Sequence, residues 1–366
     1  MEKKKIVVDA RMINASGIGR YLQTILPGII SHFKNTIVLG DRNLINKTLE
    51  IDANIISFDN PIYSLSEQIK YTQIIPECDL FFSPHYNTPL LPIKAKHRIV
   101  TIHDVFHLAF YNELSLPQKI YSKIVLNSAL KKSDKIVTVS NFSKNEILRY
   151  TNIKYENKIS VIYNGVNFNE EKIGKKIDDD IQSSYFLFVG NVKPHKNLKR
   201  TLEAYKLFLS RYRNLENIPK FIIVGKKEGF ITGDNVTDFV EKDPALRETV
   251  QFTGWISDDK LKELYRNALA LVFPSYYEGF GFPPLEAMAM NCAVIASDCA
   301  CIPEICKEAA LYFNPFEIIS IMEKMEKIFI NKNIRNDLII KGKKRISEFS
   351  SKKTIQEHIE LFEQYL

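Results

Sequence analysis

Short apolar runs alternate with longer stretches of helical periodicity along almost the whole chain, and the alternation breaks once, across a charged segment that has no period. Before the break, residues 5–9, 36–39, 54–58, 79–83, 98–102 and 135–139 read as strands, and residues 21–32, 63–75, 117–132 and 142–150 as helices. After it, residues 185–189, 220–224, 250–252, 268–273, 293–297 and 311–313 read as strands, and 198–212, 258–267, 316–330 and 334–346 as helices. Several strand runs are apolar at consecutive positions, as in Ile6-Val7-Val8 and Phe186-Leu187-Phe188, which suits strands buried on both faces. Strands that alternate with helices build a parallel sheet covered on both sides, so the expected class is α/β with two such sheets. Ligands of these sheets sit at the carboxyl ends of the strands, and the residues just after each strand are where chemistry is sought.

A chain of 366 residues suggests two domains, and the break supplies their boundary. The expected division is a first domain at 1–167, a polar linker at 168–184, a second domain at 185–348, and a terminal segment at 349–366. A helix at 354–365 carries Ile355, Ile359 and Phe362 at helical spacing, with Leu366 continuing the stripe, and it needs an apolar surface to dock on.

Several function classes fall away on composition. With 45% hydrophobic and 25% charged residues, the chain is an ordinary globular one with ample core. The basic start Lys3-Lys4-Lys5 is followed by an apolar run that Asp9 and Arg11 interrupt, so no secretion signal is expected. No apolar run approaches the roughly 20 residues that span a bilayer. Of five cysteines, four lie between Cys292 and Cys306, without Cys-x2-Cys spacing or a neighbouring His, and they read as small buried hydrophobes rather than a zinc site or disulfides. The net charge of +7 fits an anionic substrate or an anionic membrane face; no basic and aromatic module for nucleic acid is present.

The stretch 273–289 reads Phe-Pro-Ser-Tyr-Tyr-Glu-Gly-Phe-Gly-Phe-Pro-Pro-Leu-Glu-Ala-Met-Ala, between a strand and a helix. Gly279 and Gly281 allow sharp turning and close approach to a ligand, and Pro283 and Pro284 suit the first turn of a helix. The helix N-terminus is a ready place for an anion. Glu278 and Glu286 bracket the loop, and the glycines and prolines forbid one continuous helix between them, so both can turn to one ligand. Glu278, two glycines, two prolines and Glu286 in this order resemble the signature loop of the retaining, nucleotide-sugar-dependent glycosyltransferases of family four. The resemblance covers nearly the whole chain. It implies the GT-B architecture: two Rossmann-like domains facing across a cleft, with the C-terminal helix crossing back to the N-terminal, acceptor-side domain.

Other motifs acquire expected roles through that resemblance. In Gly190-Asn191-Val192-Lys193-Pro194-His195-Lys196-Asn197, Lys196 matches the family's cation against the donor pyrophosphate, with Asn191 beside it; Lys193 and Arg200 are the candidates to assist where many relatives have Arg at 191 or 195. His103, in His103-Asp104 after a strand, resembles the active-site histidine that contacts the transferred sugar, and His107 is a secondary candidate. The motif from Asp9 to Tyr21 resembles that of bacterial mannosyltransferases, with Gly17 and Gly19 in a loop at 10–20 that approaches the donor. By resemblance Glu286 holds the ribose, Glu278 the donor-sugar hydroxyls, and Gly279, Phe280, Gly281 and Phe282 supply backbone N–H groups. Val224-Gly225-Lys226 is expected near the nucleotide and Thr253-Gly254-Trp255-Ile256 by the base.

Breaking a sugar–diphosphate bond leaves negative charge on the phosphates, which Lys196 and helix dipoles stabilise without a base. No Asp-x-Asp pair lies in a plausible site, so neither metal nor cofactor is expected. The expected activity is retaining hexosyl transfer, catalysed through His103, Lys196 and Glu278, from a nucleotide sugar such as GDP-mannose to a glycan or lipid-linked oligosaccharide of O-antigen or capsule. Two alternatives remain open: a sugar-nucleotide epimerase of the same fold, and a catalytically silent nucleotide-sugar-binding subunit. Lys119, Lys123, Lys131 and Lys132 on an otherwise apolar segment are compatible with an anionic membrane surface, and the expected location is cytoplasmic, peripheral to the inner face of the plasma membrane.

Overall fold

The structure is a computed structural model that describes residues 4–51, 53–166, 184–215, 217–225 and 236–366. The linker expected at 168–184, apart from Ser184, lies outside the described residues, as does Lys226. The chain forms two compact units, one of residues 1–167 with 349–366 and the other of residues 168–348.

In the first unit the order is β1 (Ile6–Asp9), α1 (Ser16–His32), β2 (Thr36–Gly40), α2 (Arg42–Leu49), β3 (Asn54–Ser57), α3 (Leu65–Ile74), β4 (Cys78–Ser83), β5 (Ala95–Thr101), α4 (Phe106–Ala109), α5 (Leu116–Lys132), β6 (Lys135–Thr138), α6 (Asn141–Tyr150) and β7 (Ile159–Val161). The seven strands are ordered β3-β2-β1-β4-β5-β6-β7 and every pairing is parallel, with Val8 opposite Val38 on one side and Phe82 on the other. This is the 3-2-1-4-5-6 order of a Rossmann sheet, extended by one strand, and its switch point lies between β1 and β4. β1 is buried throughout, which its unbroken apolar run anticipates. β7 and α2 escape sequence reading because each is short; α2 buries only Ile45.

One expectation is corrected here. Residues 10–20 were expected to be a loop holding Gly17 and Gly19, but α1 begins at Ser16, so both glycines lie in its first turns. The reason is packing: a Cβ on Gly19 would stand 2.6 Å from the carbonyl oxygen of Ile13, so the helix forms hard against the preceding residues and only glycine fits.

The terminal helix α15 (Ser351–Glu363) completes the first unit, lying against α1 with Ile359, Leu361 and Phe362 buried. A Cβ on Gly28 of α1 would meet Ile355 at 2.3 Å, which shows how closely the two helices approach. A buried hydrogen-bond chain fixes the contact. His358 Nδ1 must donate to the Thr354 carbonyl at 2.7 Å, since a carbonyl only accepts. Its Nε2 therefore accepts from the Tyr21 hydroxyl at 2.6 Å, and Tyr21 accepts in turn from Thr101 at 2.8 Å. Just before α15, Ser350 forms a parallel bridge with Val166, and the Val166 N–H donates to the Phe349 carbonyl at 3.0 Å.

The second unit contains β8 (Tyr185–Val189), α7 (Leu198–Arg211), β9 (Lys220–Val224), α8 (Val236–Lys242), α9 (Pro244–Thr249), β10 (Val250–Gly254), α10 (Asp258–Asn267), β11 (Ala270–Phe273), α11 (Phe282–Ala289), β12 (Val294–Ser297), α12 (Ile302–Cys306), β13 (Leu311–Phe313), α13 (Ile318–Ile330) and α14 (Lys332–Ile346). Its six strands are ordered β10-β9-β8-β11-β12-β13, again parallel and again 3-2-1-4-5-6, with the switch point between β8 and β11. The ends of β8 and β9 nearly touch. A Cβ on Gly225 would stand 2.0 Å from the Gly190 carbonyl oxygen, and Gly225 has φ +150°, so no other residue serves there.

Candidate functional site

In the second unit the residues that follow β8 and β11 meet across the switch point. Lys196 closes a single 3₁₀ turn after β8, and its ammonium forms an ion pair with Glu278, which follows β11. Both side chains are largely shielded, at 18% and 14% exposure. The two loops are also tied through backbone, since the Tyr276 N–H donates to the His195 carbonyl at 3.0 Å. Burial, then the neighbouring Lys196 ammonium, brings the His195 imidazole down to about 4, so at neutral pH it adds no charge to this corner. Arg200, an expected assistant cation, is engaged elsewhere: it donates to Asn197 Oδ1 at 2.8 Å.

Beyond Glu278 the chain turns at Gly281, whose φ of +87° only glycine adopts without strain, and α11 begins at Phe282. Gly279 does not take this conformation, so the sharp turn belongs to Gly281 alone of the two. Pro283 and Pro284 occupy the first turn, as their fixed φ allows, but they remove two of its N–H donors. The helix end is therefore a poorer anion site than an ordinary one, and Phe282 and Leu285 carry the N–H groups that remain there. The Cys301 thiol donates to the Phe280 carbonyl at 3.1 Å and steadies the loop from below. Cys78, Cys292, Cys301 and Cys306 are all buried free thiols, and burial pushes Cys306 up to about 12, which makes it unreactive.

Glu286 is 4% exposed and accepts from the Tyr265 hydroxyl of α10 at 2.8 Å. Glu278 and Glu286 are thus held by different partners, one across β8 and one across α10. Trp255 follows Gly254 at the end of β10 with 80% of its surface exposed. Asn191 lies in the same loop as Lys196, directly after the Gly190 contact with Gly225.

In the first unit, His103 follows β5 and is half-buried. Its Nε2 donates to the Pro84 carbonyl at 2.9 Å, the Tyr21 ring stands edge-on at 4.9 Å, and the Ser143 hydroxyl donates to its carbonyl at 2.8 Å. Burial brings its imidazole down to about 4. His85, after β4, is a residue that sequence reasoning did not single out, although its place after a strand could have marked it. It is buried and held well below the usual histidine range by that burial and by His103 and His107. His107 stacks on Tyr86 at 4.6 Å. At the switch point itself Arg11 bridges Asp9 at 2.8 Å and Glu67 at 2.7 Å, and Glu67 also accepts from Asn87 at 2.8 Å and from the Tyr63 N–H at 2.8 Å. Neither this network nor Glu67 was foreseen.

These buried histidines make stability depend on acid. His103 and His358 have folded values near 4, below the ordinary 6.5, so the unfolded chain takes up protons that the folded chain refuses. Stability is full above pH 6.5 and falls as pH drops toward 4, by about 2 kcal/mol per histidine at pH 5. Thermal unfolding at pH 7.5 and pH 5 is expected to show this drop, and His358→Gln to shrink it. A midpoint that does not move between the two pH values would rule the account out.

Family models match both parts of the chain: "Glycosyltransferase Family 4" over residues 36–170 and "Glycosyl transferases group 1" over residues 169–345. The O-antigen chain mannosyltransferase RfbU of Salmonella typhimurium is 36% identical over 236 residues, which cover 64% of this chain and 61% of that protein. The O-antigen chain mannosyltransferase B of Escherichia coli is 25% identical over 282 residues, covering 71% of this chain and 68% of that one. Among solved structures, Anabaena Alr3699/HepE in complex with UDP-glucose superposes with a TM-score of 0.78 at 16% identity, over 98% of this chain and 99% of that one.

Proposed function

Since the chain belongs to the family four glycosyltransferases of GT-B fold and is mannosyltransferase-like, we propose that it is a retaining, metal-independent hexosyltransferase that moves mannose from GDP-mannose to a glycan in O-antigen or capsule synthesis. The observation that carries this reading is the Lys196–Glu278 pair spanning the switch point of the second sheet, followed by the Gly281 turn and Glu286. A switch point is where a sheet of this order receives its ligand. Mannose is favoured because both curated relatives cited above are mannosyltransferases by name.

In this reading the donor diphosphate lies against Lys196, and Glu278 exchanges part of its ion pair for the hydroxyls of the donor sugar. Glu286, positioned by Tyr265, receives the ribose. As the glycosidic bond to phosphate breaks, negative charge grows on the diphosphate beside the ammonium, while the sugar gains positive character. A phosphate oxygen accepts the acceptor's proton on the same face, so the configuration is retained and no protein base is needed. His103, kept neutral by burial, contacts the transferred sugar as a hydrogen-bonding group rather than a cation.

On α5, Leu116, Ile120 and Ile124 are exposed at 70%, 53% and 55%, four residues apart, beside Lys119 and Lys123. This face supports contact with an anionic membrane surface on the cytoplasmic side and a lipid-linked acceptor. Among the described residues no helix is long and apolar enough to cross a membrane.

The test is incubation with GDP- and UDP-sugars, with and without a lipid-linked acceptor, following nucleotide release and product mass. Acceptor-dependent transfer from GDP-mannose that survives chelator is expected. Isomerised sugar nucleotide without transfer would select the epimerase, and binding without turnover the silent subunit.

A further inference from the structure

A recess lies in the second unit, next in the chain to the Lys196–Glu278 pair. It is a groove of about 400 Å³ lined by Pro194, Lys199, Arg200, Glu203, Tyr276 and Phe316, and it is formed where the chain leaves β8, β11 and β13. We propose that this groove binds a pyranose unit of a glycan chain, as a subsite separate from the one that holds the donor.

The groove is built rather than incidental. Asn197 is 6% exposed and adopts a left-handed conformation at φ +56°, a cost that its side chain explains. Its Nδ2 donates to the Pro315 carbonyl at 2.6 Å, and its Oδ1 accepts from Arg200 at 2.8 Å. One residue thereby fastens the segment after β8 to the segment after β13 and aims the guanidinium. The Phe316 N–H donates to Asn314 Oδ1 at 3.0 Å, which fixes the third wall, and the Tyr276 N–H is fixed to His195.

Its chemistry suits a neutral sugar better than an anion or a nucleobase. Tyr276 and Phe316 present two rings 5.7 Å apart and inclined by 35°, and Phe316 stays 58% exposed although it is a large apolar side chain. Aromatic faces pack on the C–H face of a pyranose, while side chains of both signs, Arg200 and Glu203, offer donors to and acceptors from its hydroxyls. Glu203 offsets one of the two cations, Lys199 and Arg200, that would otherwise draw a phosphate, and the exposed rings favour a neutral ring over one. The volume lies within the ~300–1,000 Å³ of small-molecule sites. Pro194 and Tyr276 each stand two residues before Lys196 and Glu278, so a sugar in the groove adjoins the transfer site. Its role as a holder of the acceptor chain rests on the glycosyl-transfer reading; the binding itself does not.

The experiment titrates the full chain with mannotriose, maltotriose and N-acetylchitotriose by calorimetry, with GDP absent and present, and repeats this for Phe316→Ala and Glu203→Gln. At least one trisaccharide is expected to bind whether or not GDP is present. Phe316→Ala should weaken it tenfold or more, and Glu203→Gln several-fold, at unchanged unfolding temperature and GDP affinity. The proposal is overturned if none of the three binds, if Phe316→Ala binds as the parent does, or if Phe316→Ala weakens GDP equally. Binding without sugar transfer from any donor would sink the proposed activity and leave the subsite standing.

Discussion

Replacing Lys196 with Met is expected to lower kcat/KM for GDP-mannose about 10²–10³-fold. The reaction places about one new negative charge on the diphosphate, and a cation at roughly 4 Å in an environment of effective dielectric ~20 stabilises such a charge by about 4 kcal/mol. The substitution also removes the partner of Glu278, which is only 14% exposed, and leaves a carboxylate facing the donor. The double variant Lys196→Met/Glu278→Gln should consequently be no worse than the single Lys196→Met, because the repulsion is gone. Nucleoside diphosphate release measured for the parent and the variants checks both statements. A fall of less than tenfold in the single variant would show that Lys196 does not face the developing charge, and His195, brought down to about 4 and so uncharged at neutral pH, could not replace it.

The largest effect on stability is expected from Arg11→Met. Arg11, Asp9 and Glu67 are 4%, 8% and 0% exposed at their side chains, and the guanidinium lies 3.9 Å from the centre of the Phe58 ring. Removing the cation leaves two buried carboxylates side by side, and breaking a buried pair in this way costs about 3–5 kcal/mol. Replacing all three residues together, as Asp9→Leu/Arg11→Met/Glu67→Gln, is expected to cost less than the single change, because no unpaired charge then remains. Urea unfolding followed by near-ultraviolet dichroism compares the two. If the single variant lies within 1 kcal/mol of the parent, the network is not what holds this corner. Tyr63 offers a second readout, since its N–H is held by Glu67 and its backbone sits at φ +68°, a conformation costly for an aromatic residue without that anchor.

Much of the sheet was legible because buried parallel strands write themselves as unbroken apolar runs, and β1, β8 and β9 are clear instances. The loop holding Glu278 and Glu286 was legible for a different reason: its glycines and prolines are demanded locally. The start of α1 was not. Ser16-Gly17-Ile18-Gly19 has poor helix propensity, and it is helical because Gly19 packs against Ile13, a contact that local pattern does not express. Glu67 looks like any solvent-facing glutamate in a helix, yet it is fully buried because its partner Arg11 lies 56 residues away in sequence. The groove at Phe316 has the same character, since Arg200, Tyr276 and Phe316 become neighbours only once β8, β11 and β13 share a sheet.

The docking of α15 on α1 also sets an order of events during synthesis. Residues 349–366 belong to the first unit, but all of 168–348 must be made before they appear. At about 5–20 residues per second that interval is roughly 10–40 s. Throughout it, the face of α1 around Gly28 and the hydroxyl of Tyr21 lack their partners Ile355 and His358, while the second unit, contiguous in sequence, has everything needed to close. Of these two units the one whose synthesis starts earlier is therefore finished last, and a chain released after residue 348 would carry a contiguous second unit and an open first one.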